Sequence, residues 1–206
     1  MSSQKSTTRP AGIRVPTRQR GKLRVAALLD AAATVFAARG YDAATMTEIA
    51  AAAKAAIGSL YQFFPSKDSL ADALVSRYVE RLDEALRVLA GGQAGRPARE
   101  LADGFVDVML DLGPERTAAI ELLDARSVTA AERLAFRDAA RLQIAEVLKA
   151  ALPRLPDERA AAMAGLILLL LKSVPALAEE DTAAGTAFIA EARAMLRAYI
   201  AQALGV

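Results

Sequence analysis

Apolar residues recur at helical spacing almost from the start of the chain. Between Thr17 and Arg39, Leu28, Leu29, Ala32, Val35 and Phe36 fall on one face, and Gly40 stands where a left-handed residue would close the helix. Thr45, followed three residues later by Glu48, has the form of a capping box; Ile49, Ala50 and Ala53 give the short helix it opens one apolar face. After a tight connection at Lys54 and Ala55, the run from Ile57 to Phe64 turns Leu60, Phe63 and Phe64 inward before Pro65 stops it. Ser66 then caps a long helix whose Leu70, Leu74, Tyr78, Leu82, Leu86 and Leu89 share one stripe, up to the break at Gly91-Gly92-Gln93-Ala94-Gly95. Further helices are predicted at roughly 97–112, 115–127, 130–152, 157–179 and 183–203. Pro175 should kink or interrupt the fourth of these, because proline removes a helical donor and crowds the preceding turn.

Composition supports an all-α chain. The 206 residues are 54% hydrophobic, and the stock is Ala, Leu and Arg, with few β-branched or aromatic residues. There is no Cys and no His, which excludes disulfides, thiolate or imidazole metal sites, a Ser-His-Asp triad and a Cys-His dyad. We therefore expect no catalytic residues, no metal, no cofactor and no enzymatic activity. No stretch approaches the ~20 uncharged apolar residues of a spanning helix, and the first residues lack an apolar signal region, so a cytoplasmic protein without membrane association is expected. Gly165–Leu171, closed by Lys172, reads as a fully buried helix.

The net charge of +2 conceals an asymmetry. Residues 1–67 hold ten Lys and Arg against three Asp and Glu; the remainder holds 16 against 21. Seven of the basic residues precede Val25, with no acidic residue among them, the electrostatic footprint of a segment that approaches phosphates. Residues 1–16 mix Ser, Thr, Gln, Pro and Gly with these cations and read as a flexible basic arm. Residues 17–67 then form a three-helix unit in which two short helices joined by a turn can hold the last one in a major groove. Residues 68–206 make a larger helical domain, reached along the long helix.

The segment LLDAAATVFAARGYDAATMTEIAAAAKAAIGSLYQFFPSKDSLADAL, Leu28 to Leu74, resembles the N-terminal signature of TetR-family transcriptional regulators, most specifically at Gly58–Lys67. The resemblance implies phosphate contacts at Ser59, Tyr61 and Lys67 and at Thr45 or Thr47, and a groove-facing tip formed by Lys54, Ala56, Ile57 and Gly58, with Gln62 farther along. Gln62 suits adenine, and Ala56 and Ile57 suit thymine methyl groups. Two positions depart from the common family pattern: Lys54 stands where a glycine is usual, and Ala56 where a hydroxyl residue usually caps the third helix. Gly58 allows close approach to DNA or close packing on the first helix, and the sequence leaves both readings open.

The resemblance further implies a homodimer built on the last two helices. Leu166, Ile167, Leu170, Phe188, Ala192, Met195, Leu196 and Tyr199 supply apolar surface for it. It also implies a pocket for an apolar or amphipathic small-molecule effector among the middle helices, where Phe105, Met109, Leu122, Arg126, Phe136 and Leu170 are the available lining. The function implied is a repressor released from an inverted-repeat operator in double-stranded DNA by such a ligand. The alternative is an adaptor of the same fold governed by a protein partner or coating DNA. Arg133, Arg137 and Arg141 form an i, i+4, i+8 stripe that reads as a solvated face rather than an anion site.

Overall fold

The computed structural model describes residues 19–91, 97–125, 130–179 and 182–204, without the side chains of 114, 130–133, 136, 176, 179 and 204. The basic arm lies outside the described residues, as does Arg126. The described residues form helices joined by short turns. The chain divides into two compact units, Met1–Leu74 and Val75–Val206.

The small unit contains α1 (Gln19–Ala43), α2 (Met46–Ala52), α3 (Ile57–Phe63) and the first turns of α4 (Lys67–Ala90). Its core is Leu28, Ala32, Phe36, Ile49, Leu60 and Phe64, with Leu70 and Leu74 from α4. The boundary therefore falls after Leu74 rather than after Lys67: the leading stripe residues of α4 are spent on this core. Gly40 interrupts α1 with φ 73 and ψ 166, a region open to glycine alone, so the regular helix ends where expected and one further turn leads to α2. Thr45 and Glu48 form the expected reciprocal capping box on α2. Ser66 caps α4 in the same manner: its hydroxyl accepts from the Ser69 amide at 3.1 Å while its own amide donates to the Ser69 hydroxyl at 3.0 Å.

The large unit comprises the rest of α4 together with α5 (Ala98–Asp111), α6 (Gly113–Ala125), α7 (Ala130–Ala151), α8 (Asp157–Leu171), α9 (Val174–Glu179) and α10 (Ala183–Leu204). Tyr78, Leu82, Leu101, Phe105, Leu148 and Met163 lie in its core. Pro175 acts as expected: the predicted helix 157–179 is broken into α8 and α9, with Pro175 in the first turn of α9, where its missing amide costs no hydrogen bond. Ion pairs staple α10 to α5, with Arg197 on both carboxylate oxygens of Asp103 at 2.7 and 2.8 Å and Arg193 on Asp107 at 2.6 Å. Within this unit a side chain at Gly185 would bring its Cβ to 2.3 Å from the Leu177 carbonyl, so glycine is what permits the close approach of α10 to α9. No helix among the described residues is long and apolar enough to cross a membrane.

Candidate nucleic-acid interface and ligand cavity

The helix α3 has two unlike sides. Leu60 and Phe64 anchor it in the small core, whereas Ile57, Gly58, Tyr61 and Gln62 face solvent, Ile57 with 40% and Tyr61 with 49% of its surface exposed. Thr47, Lys54 and Ala56 are exposed beside them, and Ser59 is half-buried at the edge. A Cβ built on Gly58 meets nothing within 4 Å, which removes packing on α1 as the reason for a glycine there. Lys54 holds φ 50, the left-handed conformation that a glycine would adopt without strain, and Ala56 caps α3 with no side-chain hydrogen bond.

Two expected phosphate contacts are committed elsewhere. The Lys67 ammonium donates to the carbonyls of Tyr41, Asp42 and Ala44 at 2.7, 3.1 and 3.1 Å and lies 4.5 Å from the centre of the Tyr41 ring. It has three protons and three acceptors, so its donors are met at the end of α1 in the absence of DNA. The dipole at the start of α4 is likewise met from within, by Asp68, which accepts from the Tyr41 hydroxyl at 2.5 Å. The Thr45 hydroxyl is held by Glu48, leaving Thr47 as the exposed hydroxyl of this helix start. The Thr45 hydroxyl, then its backbone amide, and then Arg39 keep the Glu48 carboxyl below its ordinary pKa; Arg39 lies 2.8 Å away. Sequence reasoning passed over Lys22 and Arg24 as individual contacts, although both are exposed in the first turns of α1.

In the large unit a small cavity of about 50 Å³ lies among α4 to α8. Leu82, Leu86, Met109, Ile144, Leu168 and Leu171 form its apolar wall. Arg116 from α6, Arg137 from α7 and Lys172 at the end of α8 reach the same cavity, with Tyr78. Of the expected pocket residues, Met109 lines it. Phe105 and Leu122 are packed fully out of solvent and line neither this cavity nor the groove described next, and the Phe136 side chain lies outside the described residues. Helical spacing marks a residue as inward-facing but does not distinguish a core position from a cavity wall.

Leu170 belongs instead to an apolar groove between α8 and α10, with Leu166, Leu169, Met195 and Tyr199. Leu166, Leu169 and Met195 are 55%, 65% and 55% exposed. Ile167 and Leu196, expected at a dimer interface, are buried in the chain's core and line the same groove from beneath; Ala192 is buried in that core, and Phe188 is half-buried against it. Leu169, the most exposed of the groove residues, was not among the expected set.

A small three-helix unit holding a short, half-bare helix beside a capped partner defines a helix-turn-helix protein. Residues 28–74, the greater part of the small unit, match the family model "Bacterial regulatory proteins, tetR family". The HTH-type transcriptional repressor KstR2 of Rhodococcus jostii is 42% identical over 74 residues, which is 35% of this chain and 36% of that protein, so the match spans about a third of each. A TetR-like transcriptional regulator from Rhodococcus sp. RHA1 superposes with a TM-score of 0.60 at 25% identity, over 93% of this chain and 99% of that one. AibR, solved in complex with isovaleryl coenzyme A and operator DNA, has a TM-score of 0.60 at 19% identity over 84% and 97%, and shows the shared fold.

Proposed function

We propose that this protein is a sequence-specific DNA-binding repressor that holds an inverted-repeat operator as a homodimer and releases it when a small ligand enters the large unit. The carrying observation is the bare side of α3. Ile57 and Tyr61 are large apolar groups that the fold leaves in solvent, and Gly58 sits between them over open space. Such a surface suits close approach to a duplex, with Tyr61 and Thr47 on phosphate, Ile57 and Ala56 against thymine methyl groups and Gln62 on a base edge. Exposed Lys22 and Arg24 add sequence-independent attraction. Repression is the polarity carried in the name of KstR2. The groove of Leu166, Leu169 and Met195 would be covered by the same groove of a second copy about a two-fold axis. The action is binding, not catalysis, and its place is the cytoplasm, where the operator is.

Selection from a library of duplex DNA at fixed, near-physiological salt tests this, with Gly58→Ala and Tyr61→Phe alongside. An inverted repeat should be enriched by the native protein. Gly58→Ala should weaken its binding while stabilising the isolated fold by about 0.5 kcal/mol, since alanine is the better helix former. Uniform, salt-sensitive binding by all three proteins would overturn the operator reading and favour a DNA-coating adaptor.

A further inference from the structure

The last carbonyls of a helix have no amide of a following turn to bond, and they carry the negative end of its dipole. At the end of α1 those of Tyr41, Asp42 and Ala44 are answered by one side chain of α4, the Lys67 ammonium, at 2.7, 3.1 and 3.1 Å. Its donors and their acceptors match one for one. The same ammonium stands 4.5 Å from the centre of the Tyr41 ring, whose hydroxyl donates to Asp68 at 2.5 Å. Tyr41 in turn meets Phe36 of the small core, with ring centres 5.7 Å apart. Two consecutive residues of α4 thus hold the corner that Gly40 opens, where the chain leaves the regular part of α1 with φ 73. The corner ends at Ala44, and the next residue is Thr45, whose amide and hydroxyl start α2 through Glu48. Where Ala44 is held therefore decides where α2 begins, and α2 carries Thr47 and leads through the Lys54 turn into α3.

We propose that Lys67 is a positioning residue for DNA recognition: it fixes the corner between α1 and α2, and through it the pose of α2 and α3, and it keeps its three carbonyls when DNA is bound. This rests on the reading of α3 as the groove-facing helix. It departs from the phosphate contact that the family resemblance implies at this position. To reach a phosphate, the ammonium would have to abandon half-buried carbonyls to which it is already fully bonded, leaving them unanswered.

The test compares the native full-length chain with Lys67→Met, which keeps most of the apolar stem and loses the three donors. By nitrogen-detected NMR the native Lys67 ammonium should be protected from solvent exchange. It should stay so, with no coupling to phosphorus, when the selected operator duplex is added. In the free variant, exchange of the capped amides of Thr45, Glu48 and Ile49 should quicken about tenfold while that of Leu28 and Phe36 holds. Where circular dichroism shows the variant as folded as the native chain, its operator affinity should fall about tenfold. Its affinity for random duplex and the salt slope of both should be unchanged. A slope shallower by about 0.9, with operator and random duplex weakened alike, would mean that Lys67 neutralises a phosphate, and overturns the proposal. Unchanged operator affinity, unchanged amide exchange, or a phosphorus coupling each overturns it too. If Lys67→Met does not fold, the native ammonium signal with and without duplex decides alone. Failure of the native chain to bind any duplex would sink the regulator reading instead, and the amide exchange would still judge the corner.

Discussion

Lys54 holds a left-handed backbone at the turn between α2 and α3, where any side chain costs about 1–2 kcal/mol relative to glycine. Two positions later Ala56 begins α3 without a hydroxyl to receive a free amide. Lys54→Gly should raise the unfolding free energy by about 1 kcal/mol and Ala56→Ser by about 0.5–1 kcal/mol, read from urea midpoints. If Lys54 also touches phosphate, Lys54→Gly should lose operator affinity with a shallower salt dependence, whereas Ala56→Ser should not alter the slope. Both departures were legible in the sequence because they concern local backbone chemistry. The work of Lys67 was not: its three carbonyl acceptors lie 23 to 26 residues away, and nothing in the local pattern around Pro65 points to them. Gly58 was legible as a special position, but its reason needed the space around it to be measured.

Among the elements, the short helices could be read from caps and punctuation: Thr45 with Glu48, Ser66, and Pro175, which ends one helix and begins another. The orientation of α8 and α10 could not. A helix apolar on nearly every side has no stripe to show which face is inside, so the expected interface set mixes exposed positions with Ala192, which meets the chain's own core, and with Ile167 and Leu196, which are buried beneath the groove. The outward positions, Leu166, Leu169 and Met195, carry the consequence. Leu169→Glu with Met195→Glu should yield a monomer by light scattering with unchanged helix content, because neither side chain is needed inside the chain. Operator affinity should fall by at least a hundredfold as the second half-site contact is lost. A dimer persisting in this double variant would mean that the copies meet elsewhere.

For the molecule as a whole, the division of charge was legible and the division of structure was nearly so. The positive third of the chain is the helix-turn-helix unit, but the boundary moved seven residues, to Leu74, because the first turns of α4 complete the small core. The cavity was hardly legible, since Arg116, Arg137 and Lys172 are separated by 21 and 35 positions and only folding gathers them. If an effector and the operator bind linked states of one protein, their effects must be reciprocal. The factor by which a saturating effector weakens the operator should equal the factor by which saturating operator weakens that effector, measured by titrations in both orders. Unequal factors would show that the two do not act through a shared equilibrium.

The open space above Gly58 bears on how this protein would change under selection. Folding alone has no use for a glycine there, and alanine would hold the helix better. A laboratory lineage chosen only for heat resistance would drift to alanine at this position, and among its survivors would be well-folded proteins that no longer grip their operator.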